Sequence, residues 1–167
     1  MRTPDGAWMR SNLTTQGYCL SDAERRELSL GLRFSTGLCL TLVVTALVLQ
    51  SPALIFALVP IGAFAGFSAS HPFDHLWNHG LRHLTGGPPL PPNPPRRRHA
   101  FKIATVWLLI VGGLLSAGAG AAAIATILGG MLVGACAVVT AANLCLPSEA
   151  MAWLDRRGDR GPSAFQA

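Results

Sequence analysis

Charge is missing from most of the middle of this chain. No Asp, Glu, Lys or Arg occurs from Phe34 to Phe73, and none occurs from Ile103 to Ser148. Those blocks are 40 and 46 residues long. All thirteen basic and eight acidic residues fall in the first 33 residues, in segment 74–102, or after Ser148. A soluble helical protein of 167 residues must cover its helices with polar faces. The run Leu40–Leu49 has nothing polar beyond two threonines, which argues for an integral membrane protein. The neutral blocks also leave no charge within the apolar helices. Proton relays and voltage sensors need such a charge, so its absence argues against ion-coupled transport.

Other absences narrow the function. Aromatics are scarce, with one tyrosine and four tryptophans. A nucleic-acid site joins a basic surface to stacking aromatics. The net charge of +5 therefore reads as membrane topology and attraction to anionic lipid, with no nucleic-acid partner. The four cysteines include no C-x-x-C and suggest reduced, buried thiols rather than a disulfide framework. G-x-S-x-G, H-E-x-x-H and P-loop patterns are also lacking, so nothing points to an enzyme. The first 28 residues are polar and predict no secretory signal.

What is present predicts an all-α membrane fold. A crossing takes roughly 20 apolar residues, so each neutral block is two crossings long. The first block breaks at Gln50-Ser51-Pro52, where Ser51 can cap a helix and Pro52 suits its first turn. The second breaks in the small-residue run Ser116–Gly120. Four transmembrane helices are expected, at about 29–50, 52–70, 101–117 and 121–146, forming two hairpins in a membrane domain over 28–150. Residues 1–27 would be a flexible N-terminus that ends in a capped helix start, with 1–18 poorly ordered. Ser21-Asp-Ala-Glu24 is a capping box that should lead straight into helix 1. Residues 71–100 form the loop between hairpins and 151–167 the tail. Basic residues concentrate on the side that is not translocated, so both termini and the loop should face the cytoplasm of a bacterial inner membrane. The sequon at Asn12 would then be a chance match.

Gly62-Ala-Phe-Ala-Gly66 and Gly130-Met-Leu-Val-Gly134 are G-x-x-x-G motifs. Their glycine faces are expected at helix–helix contacts, within the chain or in a dimer. Arg96, Arg97 and Arg98 should anchor helix 3 at lipid headgroups. Trp77, Trp107 and Trp153 fall near the same boundary, where amphipathic rings are favoured.

The loop is the richest segment. His71, His75, His79 and His83 recur every four residues behind Pro72 and Asp74. As a helix over 72–84 they form one stripe, and neighbouring members can chelate a metal. His71, His75, His79 and His83 with Asp74 and Cys145 are then the candidate metal ligands, with His71 and His75 the pair for a metal or haem site, and His99, Glu149 and Cys19 are further donors if the fold brings them near. The competing reading is an interfacial helix with a mixed His/Arg polar face, weakened at Gly80. Next comes Gly86–Pro95, with six of the twelve prolines, expected as a stiff polyproline strap across the cytoplasmic face. Pro72-Phe-Asp74 and Pro147-Ser-Glu149 look alike enough to suggest that each hairpin is followed by an interfacial helix.

His71-Pro-Phe-Asp74, Asn78, Gly80, Arg82, Gly86–Asn93 and Cys145-Leu-Pro-Ser148 together resemble a bacterial membrane family known as domain of unknown function 4395. The resemblance covers about residues 28–150. It implies four helices and no settled activity. His75, His79 and His83 fall outside the shared pattern. Where some relatives end in C-x-x-C, this chain has Cys145 followed by Pro and Ser, which speaks against a dithiol role.

Three functions are expected from these features. The first is an accessory or scaffold subunit of a larger membrane complex, working through the cytoplasmic face. The second is a metal or haem site at that boundary. The third is passage of a small neutral solute or sulfur species through a homo-oligomer.

Overall fold

The computed structural model describes residues 12–158. Six helices follow a short helical turn at 12–15: α1 Asp22–Val48, α2 Pro52–Phe67, α3 Pro72–Thr85, α4 Pro95–Ser116, α5 Ala119–Ala142 and α6 Leu146–Gly158. There is no strand among the described residues.

Local chemistry sets most of these ends. At α1 both arms of the capping box are made: Ser21 Oγ accepts from the Glu24 amide at 3.4 Å, and the Glu24 carboxylate accepts from the Ser21 amide at 2.8 Å. Gln50 turns the chain in the left-handed region (φ 48°). Ser51 Oγ then accepts from the Leu54 amide, with Pro52 opening α2. Gly118 takes φ 94° between α4 and α5, a conformation that a side chain resists.

Among the described residues three helices are long and apolar enough to cross a membrane: Ala23–Val48 within α1, then α4 and α5. The helix in the second half of the first neutral block is shorter than the expected 52–70 crossing. Helix α2 stops at Phe67, giving 16 residues, or about 24 Å of helix. Its partner α3 departs at 84°, and the count rises to four only if this bent pair is one span. The stop has a physical cause. Ser68 is extended, its hydroxyl donates to the Ser70 carbonyl at 2.6 Å, and the Ala69 carbonyl accepts from the Asn93 amide at 2.6 Å. The backbone is drawn off to pair with the proline segment.

Helix α2 packs along α4, α1 along α5, and α4 against α5. Val43, Ala46, Ile55, Leu58, Leu108, Val111 and Leu132 form the core between them. The glycines of the two G-x-x-x-G motifs are placed differently. A Cβ on Gly62 would lie 2.6 Å from Thr105 Oγ1, and one on Gly66 2.8 Å from Lys102 Cγ. Gly130 and Gly134 have open space around them, so α5 makes no close contact through them. Gly129 meets Leu47 instead. One residue turns a helix by about 100°, enough to move a glycine from the contact face to the outer face.

A second cluster lies at the charged end. Leu13, Tyr18, Leu28, Leu32, Trp77 and Leu90 pack together, with Phe34 and Leu81 against them. It joins the N-terminal segment, the start of α1, α3 and the proline segment. The expectation of disorder across 1–18 fails for 12–18: Leu13, Gln16 and Tyr18 are buried, and Asn12 donates to the Ala142 carbonyl at 3.2 Å. Asn12 and Gln16, which donates to the Asn143 carbonyl, cover the open carbonyl end of α5. The rest of that stretch, 1–11, and the tail beyond 158 lie outside the described residues.

Candidate functional site

The first turn of α3 positions the most polar part of the interior. Pro72 has no N–H to waste at this position. His71 caps the helix, its Nδ1 accepting from the Phe73 amide at 3.1 Å, while Asp74 Oδ2 accepts from the His71 amide at 2.9 Å. Asp74 is only 6% exposed. A carboxylate withdrawn from water needs donors, and this one has three. Ser35 on α1 donates to Oδ1 at 2.5 Å, and Asn93 donates to Oδ2 at 3.0 Å beside the His71 amide.

The network continues away from Asp74. Tyr18 donates its hydroxyl to Asn93 Oδ1 at 2.9 Å, and Arg97 on α4 donates to the Tyr18 oxygen at 2.8 Å. Every donor along Arg97–Tyr18–Asn93–Asp74 therefore points toward the carboxylate. Such a chain polarises cooperatively and links a buried cation to a buried anion through two neutral groups. Burial raises the Tyr18 hydroxyl above its ordinary range, against the pull of Arg97. The hydroxyl stays protonated and remains a donor. The Arg97 guanidinium also lies over the Tyr18 and Phe101 rings, at 5.5 and 5.8 Å.

His71 sits between Phe73 and Phe101, each ring centroid 5.1 Å away. Its Nε2 is 3.5 Å from Cys39 Sγ on α1. Because Nδ1 accepts a backbone N–H, the proton of the neutral ring lies on Nε2. That proton faces the sulfur. His71 thus has no free lone pair with which to bind a metal or deprotonate Cys39. Burial pushes its pKa down to about 4, with Asp74 opposing and Arg97 reinforcing.

The other expected ligands lie elsewhere. His75, His79 and His83 are exposed. His75 and His79 stack in parallel at 5.9 Å, and His75 Nε2 lies 2.9 Å from Ser70 Oγ. Residues Trp77–Leu81 form a π-helical turn. The wider turn breaks the even four-residue stripe between His79 and His83. Cys145 is buried at the start of α6, while His99 and Cys19 are exposed. Among the described residues no three His, Cys, Asp or Glu side chains converge as a metal site.

The anchoring residues divide as well. Arg96 pairs with Asp155 at 2.8 Å and donates to the Thr15 carbonyl, and Arg98 donates to the Phe67 carbonyl at 2.7 Å. Arg97 is not at the headgroups: it is buried in the network. Three successive residues of a helix point about 100° apart, so one of the three arginines faces inward. Trp77 is also no membrane anchor. It is 3% exposed and donates its indole N–H to the Pro88 carbonyl at 3.2 Å. Trp153 remains exposed.

Sequence reading singled out Asp74 and missed Tyr18, Ser35 and Asn93 as its partners. One signal was available. Asn93 is the polar residue set among prolines, where a side-chain amide is the natural way to regain hydrogen bonds that the prolines cannot make.

The assembled site holds four separated parts of the chain together: the N-terminal segment, α1, α3 with the proline segment, and α4. Tyr18, Asn93 and Asp74 spend their polar atoms on one another and on Ser35, His71 and Arg97. No curated protein and no solved structure matches the chain. A family model described as a domain of unknown function (DUF4395) matches residues 29–156, which include Ser35, His71, Asp74, Asn93 and Arg97. With more than half its length matched, the chain belongs to the DUF4395 family.

Proposed function

We propose that this protein is an accessory or scaffold subunit of a bacterial inner-membrane complex, with its charged end in the cytoplasm and its partner bound there. The closed network around Asp74 supports this reading. Asp74 accepts three hydrogen bonds from the protein itself, and a carboxylate offers about four lone-pair sites. Little capacity is left for a substrate. Such a network serves to hold a surface rigid.

Near the network, α3 exposes Leu76 and Leu84, and α6 exposes Leu146, Trp153 and Leu154. Apolar side chains on a fixed polar platform suit a protein or lipid neighbour. The metal reading has less to rest on, because His75 and His79 pair with no third ligand among the described residues.

Gentle extraction and affinity purification test the proposal. A partner should co-purify at fixed stoichiometry, and Leu84→Glu should release it while the chain still accumulates in the membrane. A monodisperse monomer with no co-purifying protein overturns it.

A further inference from the structure

The outer face of α4 carries an apolar groove with two cations at one end that pair with no carboxylate among the described residues. Lys102, Ile103, Val106, Trp107 and Ile110 line a shallow, open groove of about 310 Å³. Spacings of three and four residues place these side chains on one stripe. From Lys102 to Ile110 the helix rises about 12 Å. Ile103, Val106 and Ile110 are about half exposed. Trp107 forms a fixed wall, because its indole N–H donates to the Leu128 carbonyl on α5 at 3.0 Å. The ring is therefore held back from filling the groove.

Lys102 and Arg98 stand one turn apart at the head of this stripe. Arg98 uses one nitrogen on the Phe67 carbonyl at 2.7 Å, and its Nε is buried without a partner. The Lys102 ammonium lies 4.6 Å from the Phe67 ring centroid. Among the described residues neither cation pairs with a carboxylate, whereas Arg96 nearby has Asp155. An apolar groove by itself would accept any acyl chain. Two cations without counter-charge at its mouth favour one whose headgroup is anionic.

We infer that this groove is a binding site for one anionic phospholipid. Its phosphate lies against Arg98 and Lys102, and an acyl chain runs along Ile103, Val106 and Ile110. The site differs from the docking surface of α3 and α6, and it stands whether or not the chain has a protein partner.

Native mass spectrometry of the purified full-length protein tests this. The protein, in neutral detergent, is titrated with phosphatidylglycerol or with phosphatidylcholine of the same acyl length. A third sample receives inorganic phosphate. One phosphatidylglycerol per chain should be retained, at least about fivefold more strongly than phosphatidylcholine. Lys102→Gln should remove about fivefold of that preference. Lys102→Arg should restore it. Val106→Trp, which fills the groove, should weaken both lipids. Equal retention of the two lipids, or a Lys102→Gln variant whose preference for phosphatidylglycerol is undiminished, overturns the proposal. Displacement of the lipid by equimolar inorganic phosphate also overturns it, because the site would then be a simple anion site. Lys102 lies over Gly66, so each variant is first checked for a monodisperse elution profile. If Lys102→Gln fails that check, Val106→Trp decides.

Discussion

Asn93 donates its side-chain amide to Asp74 Oδ2 at 3.0 Å and accepts the Tyr18 hydroxyl on its carbonyl oxygen at 2.9 Å. It is the hinge of the buried network. Its backbone amide is also spent, on the Ala69 carbonyl. One residue of the proline segment therefore closes the end of α2, holds the start of α3 and reaches the N-terminal segment.

Asp74→Asn should be strongly destabilising although it is nearly isosteric. With its oxygen kept toward the His71 N–H and the Asn93 side chain, the new amide turns its NH2 to the Ser35 hydroxyl. That hydroxyl must accept instead of donate, its own O–H loses its acceptor, and the buried Arg97 loses its anion. An unsatisfied buried donor costs roughly 1–3 kcal/mol. Thermal melting in detergent should show a lower midpoint and membrane accumulation should fall. Unchanged melting would mean that Asp74 is not the hub.

Tyr18→Phe removes the one oxygen shared by Asn93 and Arg97. The loss should be about 1–3 kcal/mol, since two buried groups lose a partner. Combined with Arg97→Gln it should be clearly non-additive, because both act in one network. A double-mutant cycle on melting midpoints measures that coupling.

Stability should depend on pH through His71. Burial holds its folded pKa at about 4, below the ordinary 6.5. Between those values the unfolded chain binds a proton that the native one refuses. Stability is therefore complete above about 6.5 and falls as pH drops toward 4, by up to about 3 kcal/mol. Melting midpoints at pH 7.5 and pH 5 test this. His71→Asn, which keeps a capping acceptor for the Phe73 amide, should flatten the profile.

Gly62→Leu should cripple the fold, and Gly130→Leu should not. A side chain at 62 meets Thr105 on α4, whereas position 130 opens onto free space. Overpacking costs about 1–3 kcal/mol or more. Membrane accumulation should fall severalfold for Gly62→Leu. For Gly130→Leu it should stay near wild type. A change of elution volume confined to Gly130→Leu would show that the outer face of α5 joins copies of the chain.

Some of this is legible in the sequence because it is local. The charge-free blocks mark the apolar helices, since a charged side chain is costly in an apolar setting. The capping box at Ser21, the Ser51-Pro52 start and the Pro72 start each act within one turn. The four-residue period of the histidines was legible but misleading. Between His79 and His83 the helix widens at a π turn, and His71 had already turned inward to cap it.

The amino-acid order by itself determined the helices, the breaks between them and the gathering of charge at one end, because propensity, capping and desolvation act over a few residues. Which arginine of three faces inward, which glycine of a pair meets a neighbour, and which residues satisfy Asp74 were decided by the packed helices. Tyr18 and Arg97 are 79 positions apart, and their contact depends on the rotation of α4 and the path of the proline segment. Those follow from the least costly way to pair every buried polar group at once, which no local stretch of the chain contains.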